Sequence, residues 1–78
     1  MHLNSKVAVK KRIEDLCTTH EITINELAKK SKLTASTVYS MLNDKSKNPG
    51  IVTIESICKG LRITVREFFN SELFDFSN

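Results

Sequence analysis

The sequence from Thr23 to Asn43 reads TINELAKKSKLTASTVYSMLN and contains two helical patterns separated by a very short turn. In the first pattern, apolar or small residues recur at the i, i+3, i+4, i+7 spacing of an amphipathic helix: Ile24, Leu27, Ala28 and Ser31. Thr23 stands three residues before Glu26, which is the spacing of a capping box that satisfies free amides at a helix start. The stretch therefore predicts two short helices joined by a tight turn.

The second pattern begins at Thr34, a good N-cap residue, and turns three apolar side chains inward: Val38, Met41 and Leu42. Its outward face is small, hydroxylated and uncharged, with one aromatic ring: Ala35, Ser36, Tyr39, Ser40 and Asn43. Lysines flank this face at positions 29, 30, 32, 45 and 47. Such a helix suits the DNA major groove, because small side chains let it approach base edges while the cations meet phosphates. Amphipathicity alone favours an ordinary solvated helix in a bundle.

The composition of the chain predicts a single small domain over residues 1–78, 40% hydrophobic and 27% charged. A net charge of +3 and a pI near 9.0 favour an acidic partner without requiring one. No run of 18 apolar residues or signal-peptide core is visible. Cys17 and Cys58 are expected to be buried free thiols in a reducing cytoplasm, with a disulfide as the alternative.

The remaining helices are predicted from their apolar periodicity. A first helix over about 6–19 buries Val9, Ile13, Leu16 and Cys17. In that helix the triplet Lys10-Lys11-Arg12 is better explained as a solvated face than as a phosphate contact. A fourth helix over about 51–61 buries Ile51, Ile54, Ile57, Cys58 and Leu61, and a fifth from Thr64, with Glu67 completing a capping box, buries Val65, Phe68 and Phe69.

With these five predicted helices, the sequence resembles the helix-turn-helix family of phage repressors and Cro, often called the XRE family. Leu27, Ala28, Leu33, Val38 and Met41 fall at the family's interior positions, and Asn43 to Pro49 is similar to its Asn-Gly-Lys-x-x-x-Pro loop. The resemblance covers about residues 7–70, leaving an apolar tail at 71–78. It implies an all-α, five-helix lambda-repressor-like domain of bacterial or phage origin, with the helix-turn-helix at helices two and three.

Helix ends are where the sequence departs from the family, which often places glycine there. Here the turns carry Glu21, Lys32, Asp44 and Arg62. A non-glycine residue in the left-handed conformation costs roughly 1 kcal/mol, less for Asp, so other turn geometries are expected.

The resemblance implies that helix three enters the major groove of double-stranded DNA. The expected base contacts are Ala35, Ser36, Tyr39 and Ser40, although Tyr39 is equally well explained as a partly buried surface tyrosine. The expected backbone contacts are Ile24, Thr34, Thr37, Asn43, Lys45 and Lys47. Ile24 replaces a polar residue that often contacts phosphate in this family, so its backbone amide would donate instead.

One module of this size buries only about 600–1,000 Å² on DNA, which favours a homodimer on a palindromic operator. The expected dimer interface is helix five plus the tail: Phe68, Leu73, Phe74 and Phe76. The alternative, weighted about equally, is that the tail folds back over its own core.

Other functions remain open. An antitoxin would bind DNA in the same way while its tail docks a toxin. A protein-interaction module would keep the fold without binding DNA, which the basic loop argues against. An enzyme is not expected, since Cys17 and His20 lack a third catalytic group. No metal is expected, because the His and Cys residues lack ligand spacing. A cofactor, a small-molecule substrate and membrane association are not expected either.

Overall fold

The computed structural model describes residues 5–43 and 50–75, and over these ranges the chain is helical with no strand. The helices are α1 Ser5–Thr19, α2 Ile24–Lys30, α3 Ala35–Leu42, α4 Ile51–Leu61 and α5 Val65–Phe69, followed by a 3₁₀ turn at Glu72–Phe74. The all-α, five-helix prediction is confirmed. No helix in this part of the chain is long and apolar enough to cross a membrane.

The three helix starts predicted from threonines are present. Thr23 Oγ1 accepts from the Glu26 amide at 3.1 Å, while Glu26 Oε1 accepts from the Thr23 amide at 2.9 Å. Thr64 and Glu67 form the same capping box at the start of α5. These reciprocal bonds satisfy amides that a helix start would otherwise leave without partners, so even the five-residue α5 has a defined beginning.

The helix ends correct the expected turn geometry. Glu21, Lys32 and Arg62 adopt left-handed conformations with φ of 55°, 57° and 60°. After each one, the next amide reaches back to a helix carbonyl: Ile22 to Cys17 at 3.0 Å, Leu33 to Ala28 at 2.9 Å, and Ile63 to Cys58 at 3.0 Å. The side chains of Ile22, Leu33 and Ile63 also pack against the core. These bonds and apolar contacts offset the cost of the left-handed residue. Asp44 lies outside the described residues.

The helices enclose one hydrophobic core contributed by all five of them. Its buried members include Ile13 on α1, Leu27 on α2, Val38 on α3, Ile57 on α4 and Phe68 on α5. Leu42, Val65 and Phe69, expected inside, are half-buried and pack against it. Cys17 and Cys58 are buried free thiols, and burial raises the pKa of both.

The prediction that Ile51 is buried is wrong, because this side chain is 59% exposed. The buried stripe of α4 consists of Ile54, Ile57, Cys58 and Leu61. Ile51 is the first residue of the helix. Periodicity assigns it to the apolar face, but whether such a position is covered depends on residues from elsewhere in the chain.

Helices α2 and α4 approach each other at Gly60. A Cβ atom at this position would lie 2.7 Å from both the Lys30 carbonyl carbon and its oxygen, and 2.7 Å from Ser31 Oγ. Ser31 is buried and its hydroxyl has no hydrogen-bond partner among the described atoms. Only glycine lets the two backbones come this close, so Gly60 sets the position of α2, the first half of the helix-turn-helix, on α4.

The tail packs on its own chain as far as Asp75. Phe74 contacts the core, and its ring centroid lies 4.8 Å from that of Phe69 and 6.1 Å from that of Phe68. The 3₁₀ turn also lies against α1. Of the two conformations weighed for the tail, the part that the structure describes adopts the folded-back one.

Candidate nucleic-acid interface

The outward face of α3 is polar and accessible. Ser36, Ser40 and Asn43 are exposed, and Tyr39 is 52% exposed. On the opposite side of the helix, Val38 and Met41 are buried in the core. Because the apolar side anchors the helix, the hydroxyl-bearing side is held toward solvent as a rigid surface. The exposure of Tyr39 fits both a ring that contacts DNA and a partly buried surface tyrosine.

Ala35 differs from the other predicted base contacts. It is half-buried and packs against the core at the first turn of α3. Its methyl group is therefore only partly available to a ligand, whereas Ser36, Tyr39 and Ser40 are exposed.

The two threonines at the start of α3 bind one another. Thr34 Oγ1 and Thr37 Oγ1 are 2.8 Å apart, and Thr34 Oγ1 also accepts from the Thr37 amide at 3.1 Å. Both side chains remain exposed, but their hydroxyls are already engaged in capping the helix. A phosphate contact at this position would compete with, or extend, the existing pair of bonds.

The start of α2 places an acidic group beside the predicted phosphate contact. The Glu26 carboxylate bonds to the Thr23 amide, and these hydrogen bonds, with Lys30 and Lys29, lower the pKa of Glu26. The side chain of Ile24 is half-buried and packs against the core, so the backbone of Ile24 is better suited to contact DNA. Sequence reasoning counted the capping box as a structural device and missed that it puts a negative charge there.

The positive flank that the structure describes lies at the end of α2 and in the turn that follows. Lys29, Lys30 and Lys32 are all exposed. The other predicted flank, Lys45 and Lys47, lies outside the described residues. The described lysines are thus close in sequence to α3 and are available for phosphate oxygens.

The predicted dimer residues differ in accessibility. Phe68 is 0% exposed, which shows that its assignment to a dimer interface is wrong: the ring is enclosed by its own chain. Leu73 and Phe74 are half-buried, and Phe76 lies outside the described residues. Sequence reasoning also missed an exposed pair of aliphatic residues, Ile51 and Val52, at the start of α4.

Among the described residues, no group of three His, Cys, Asp or Glu side chains is placed to hold a metal ion. Cys17 is buried, and desolvation followed by the nearby Glu14 charge raises its pKa, which disfavours the thiolate that nucleophilic chemistry needs. His20 is exposed beyond the end of α1.

Comparison with known proteins identifies the family to which the helix pair α2 and α3 belongs. The family model for the Cro/C1-type helix-turn-helix DNA-binding domain matches residues 12–72, which include α2, α3, α4 and α5. The chain belongs to the Cro/C1-type helix-turn-helix family. It is accordingly a DNA-binding regulator, in a family that is typically non-enzymatic.

A solved structure supports this membership. The crystal structure of prophage Lp1 protein 11 is similar to this Cro/C1-type chain with a TM-score of 0.80 and 35% sequence identity, over 91% of this chain and 92% of that one. None of the curated proteins matches the chain. The fold and the family are therefore shown. The individual DNA contacts of α3 are proposed below from the exposed residues of this chain.

Proposed function

We propose that this Cro/C1-type protein is a transcriptional repressor that binds a palindromic operator as a homodimer through the major groove. The observation that carries the proposal is the accessible hydroxyl face of α3, held outward by the buried Val38 and Met41 on the opposite side. Repression requires only that the bound protein occupy DNA that the transcription machinery needs. The buried free thiols suit the reducing cytoplasm in which such a regulator would act.

In this proposal, Ser36, Tyr39 and Ser40 contact base edges, with Ala35 offering part of its methyl group to thymine. A serine hydroxyl both donates and accepts, so it discriminates modestly among bases. Specificity then depends on several weak contacts, on DNA shape and on reading two half-sites. Doubling the site is the reason for proposing a palindrome, because two copies related by a two-fold axis read the same half-site twice.

The proposed backbone contacts surround these base readers. Asn43 follows α3, Lys45 and Lys47 come next in the chain, and Thr34 and Thr37 begin the helix. The Ile24 amide would donate to a phosphate oxygen at the start of α2. The negative charge of Glu26 opposes a phosphate there, so we expect the Ile24 amide to contribute least to DNA affinity among the backbone contacts.

An antitoxin is the second candidate function, and it would use the same DNA surface. The observation relevant to it is the tail: Leu73 and Phe74 are half-buried rather than fully covered, which leaves part of each accessible to a protein partner. A module that retains the fold without DNA binding is less consistent with family membership and with the exposed Lys29, Lys30 and Lys32.

Selection of bound duplexes from a random pool tests the proposed function. We expect recovery of an inverted repeat whose half-sites are centred about one helical turn apart, bound more tightly than random DNA at moderate salt. Selection of no sequence, with affinity equal for all duplexes, would reject a specific repressor. Selection of a single unrepeated site would reject the palindrome while keeping DNA binding.

A further inference from the structure

A cavity of about 300 Å³, which we call the helix-end cavity, lies where α1, α2 and α4 end. This volume is at the lower end of the range for small-molecule pockets, about 300–1,000 Å³. None of the proposed base contacts on α3 lines it. Its wall is formed by two aliphatic residues, one glycine and three basic residues: Ile22, Leu61, Gly60, His20, Lys30 and Arg62.

The polar side chains in the wall of the helix-end cavity are all basic, and they come from three different segments. His20 follows α1, Lys30 is the last residue of α2 and Arg62 is the C-cap of α4, and all three are exposed. None of the residues that line the cavity is acidic. Lys30 and Arg62 carry full positive charges and the His20 ring offers an N–H donor, so the cavity attracts an anion.

The charges of the cavity are only weakly engaged by the rest of the chain. Within the described ranges, no hydrogen bond or ion pair involves the side chain of His20, Lys30 or Arg62. Lys30 does act on Glu26, whose pKa is lowered first by its hydrogen bonds with Thr23 and to a smaller extent by Lys30. Glu26 does not line the cavity, so an anion inside it would meet little competition for these donors.

Basic residues near helix ends can also be explained by the helix dipole, whose negative end favours cations. Here the carbonyls near those ends already have backbone donors. The Ile22 amide bonds to the Cys17 oxygen beside the end of α1, and the Ile63 amide bonds to the Cys58 oxygen beside the end of α4, each at 3.0 Å. The dipole is therefore a reason for a cation at any one helix end, but it does not explain why three basic residues share one cavity.

The rest of the wall indicates what kind of anion fits. Leu61 is buried, Ile22 is half-buried and both are aliphatic, so a ligand with an apolar part gains by covering them. A phosphate group carries up to two negative charges and three acceptor oxygens. It can therefore accept bonds from the planar fork of Arg62 and from the Lys30 ammonium at the same time.

We infer that the helix-end cavity binds a small organic phosphate monoester. The phosphate accepts hydrogen bonds from His20, Lys30 and Arg62, and the apolar part of the ligand packs on Ile22 and Leu61. The sequence predicted no small-molecule ligand, because these residues come together only in the folded chain. The cavity is a binding site that the DNA surface of α3 does not supply.

The position of Lys30 gives this binding a consequence for DNA. Lys30 also belongs to the exposed positive flank beside α3, with Lys29 and Lys32. A bound phosphate ester takes that charge from DNA and adds negative charge next to the flank, so it should weaken operator binding and act as an inducer. This consequence rests on the proposed function, whereas the binding site itself does not.

The test of the site uses the full chain without DNA, with phenyl phosphate as the probe and the backbone amide signals in NMR spectra as the readout. We expect phenyl phosphate to shift the amides of Ile22, Gly60 and Leu61, with a Kd of about 1 mM or below. Inorganic phosphate supplies the charge without an apolar part and should bind at least about fivefold more weakly. Phenol supplies the ring without the charge and should not shift these amides.

A pair of double variants tests the basic residues. Lys30→Gln plus Arg62→Gln removes two cations from the cavity and should weaken phenyl phosphate binding at least about tenfold. The matched control, Lys11→Gln plus Arg66→Gln, removes one exposed lysine and one exposed arginine that do not line the cavity, and should stay within about twofold. Circular dichroism establishes that all three proteins are folded.

The effect on DNA is measured with the operator obtained by selection. At a saturating concentration of phenyl phosphate, operator affinity of the unmodified chain should fall about threefold, comparable to the loss of one phosphate contact. Sodium chloride at equal ionic strength is the reference, because salt alone weakens DNA binding. Phenyl phosphate should have no such effect on the Lys30→Gln plus Arg62→Gln variant, whatever its affinity for the operator without the probe.

Four results would overturn the inference. Equal affinity for phenyl phosphate and inorganic phosphate, or equal affinity of the two double variants for phenyl phosphate, would show only a general attraction of the positive surface for anions. The same amide shifts produced by the operator alone would identify the DNA backbone as the source of the phosphate. Operator affinity unchanged by saturating phenyl phosphate would reject the inducer role. Because the NMR titration contains no DNA, failure to bind any duplex would reject the proposed function and the inducer role, while the measured affinities still decide whether the site exists.

Discussion

Arg12 Nε donates a hydrogen bond of 2.6 Å to the carbonyl oxygen of Phe68, and Arg12 Nη2 donates one of 2.8 Å to the carbonyl oxygen of Glu67. The guanidinium on α1 thus bonds to two carbonyls in the last turn of α5, and one of them, that of Glu67, also accepts from the Asn70 amide at 3.2 Å. Arg12 sits in the basic triplet that was interpreted as a solvated face. Its role here is to join the first and last helices.

Replacing Arg12 should therefore destabilise the fold rather than weaken DNA binding. Arg12→Ala should lower the free energy of unfolding by about 2 kcal/mol, because the two charge-assisted bonds that join α1 to α5 are lost. Urea denaturation measures the change. The exposed neighbour Lys11 is the control, and Lys11→Ala should change stability by less than about 0.5 kcal/mol. Equal effects of the two variants would contradict this role for Arg12.

Gly60 should tolerate no side chain. Gly60→Ala brings a methyl group to 2.7 Å from the Lys30 backbone, which cannot move aside as a flexible side chain can. We expect a loss of about 1–3 kcal/mol in the free energy of unfolding, typical of overpacking. Gly50→Ala is the matched control, since nothing lies within 4 Å of a Cβ there. Thermal denaturation compares them, and a neutral Gly60→Ala would show that α2 and α4 separate easily.

A negative charge on α3 should prevent operator binding. Ser36→Glu places a carboxylate on the exposed face proposed to meet DNA, where phosphates repel it, and we expect affinity to fall at least about a hundredfold. Asn70→Glu adds the same charge at an exposed residue after α5 and should leave affinity within about twofold. Fluorescence titration against the selected operator gives both values. Unchanged affinity for Ser36→Glu would remove α3 from the interface.

The loop lysines should act on all DNA alike. Lys45→Ala plus Lys47→Ala should weaken binding to every duplex and flatten the dependence of log affinity on log salt by about two ion equivalents. The matched pair Lys11→Ala plus Lys59→Ala removes two exposed lysines from other surfaces and should leave the slope unchanged. Titration over a series of salt concentrations provides the slopes. If both double variants flatten the salt dependence equally, the loop lysines have no special role in DNA binding.

The tail should contribute to stability first. Phe74→Ala removes a half-buried ring that packs on Phe69 and Phe68, and should cost about 2 kcal/mol, less than the loss for a fully buried ring. Exposed Glu72→Ala is the control within the same turn. Chemical denaturation measures the free energy of unfolding, and light scattering measures the oligomeric state of the same variant. A change of oligomeric state without loss of stability would instead support the tail as an interface.

Local patterns in the sequence were enough to predict the helices and their starts. Thr23, Thr34 and Thr64 cap helices because a threonine oxygen needs only the amide three residues ahead, which is information held within four residues. The apolar spacing likewise predicted Ile54, Ile57 and Leu61 as core residues. The candidate face of α3 followed from the same periodicity, since Ser36, Tyr39 and Ser40 are exposed opposite the buried Val38.

Local patterns could not predict the geometry of the helix ends or which residues at the edge of the core are buried. Propensity argues against left-handed Glu21, Lys32 and Arg62. They are favoured because the next amide bonds back to a carbonyl five residues earlier and the half-buried side chain of that next residue packs against the core. Ile51 shares the apolar periodicity of its helix, yet its side chain is exposed. Whether a periodic position is buried depends on a neighbour from elsewhere in the chain.

By itself, then, the sequence determined which segments are helical, where they begin and which face of α3 is polar, because those properties arise from residues within a turn or two of one another. Tertiary structure decided that Arg12 holds the end of α5, that Gly60 brings α4 onto α2, and that the 3₁₀ turn with Phe74 packs against α1. Each of these joins residues far apart in sequence, and their partners exist only once the chain has folded.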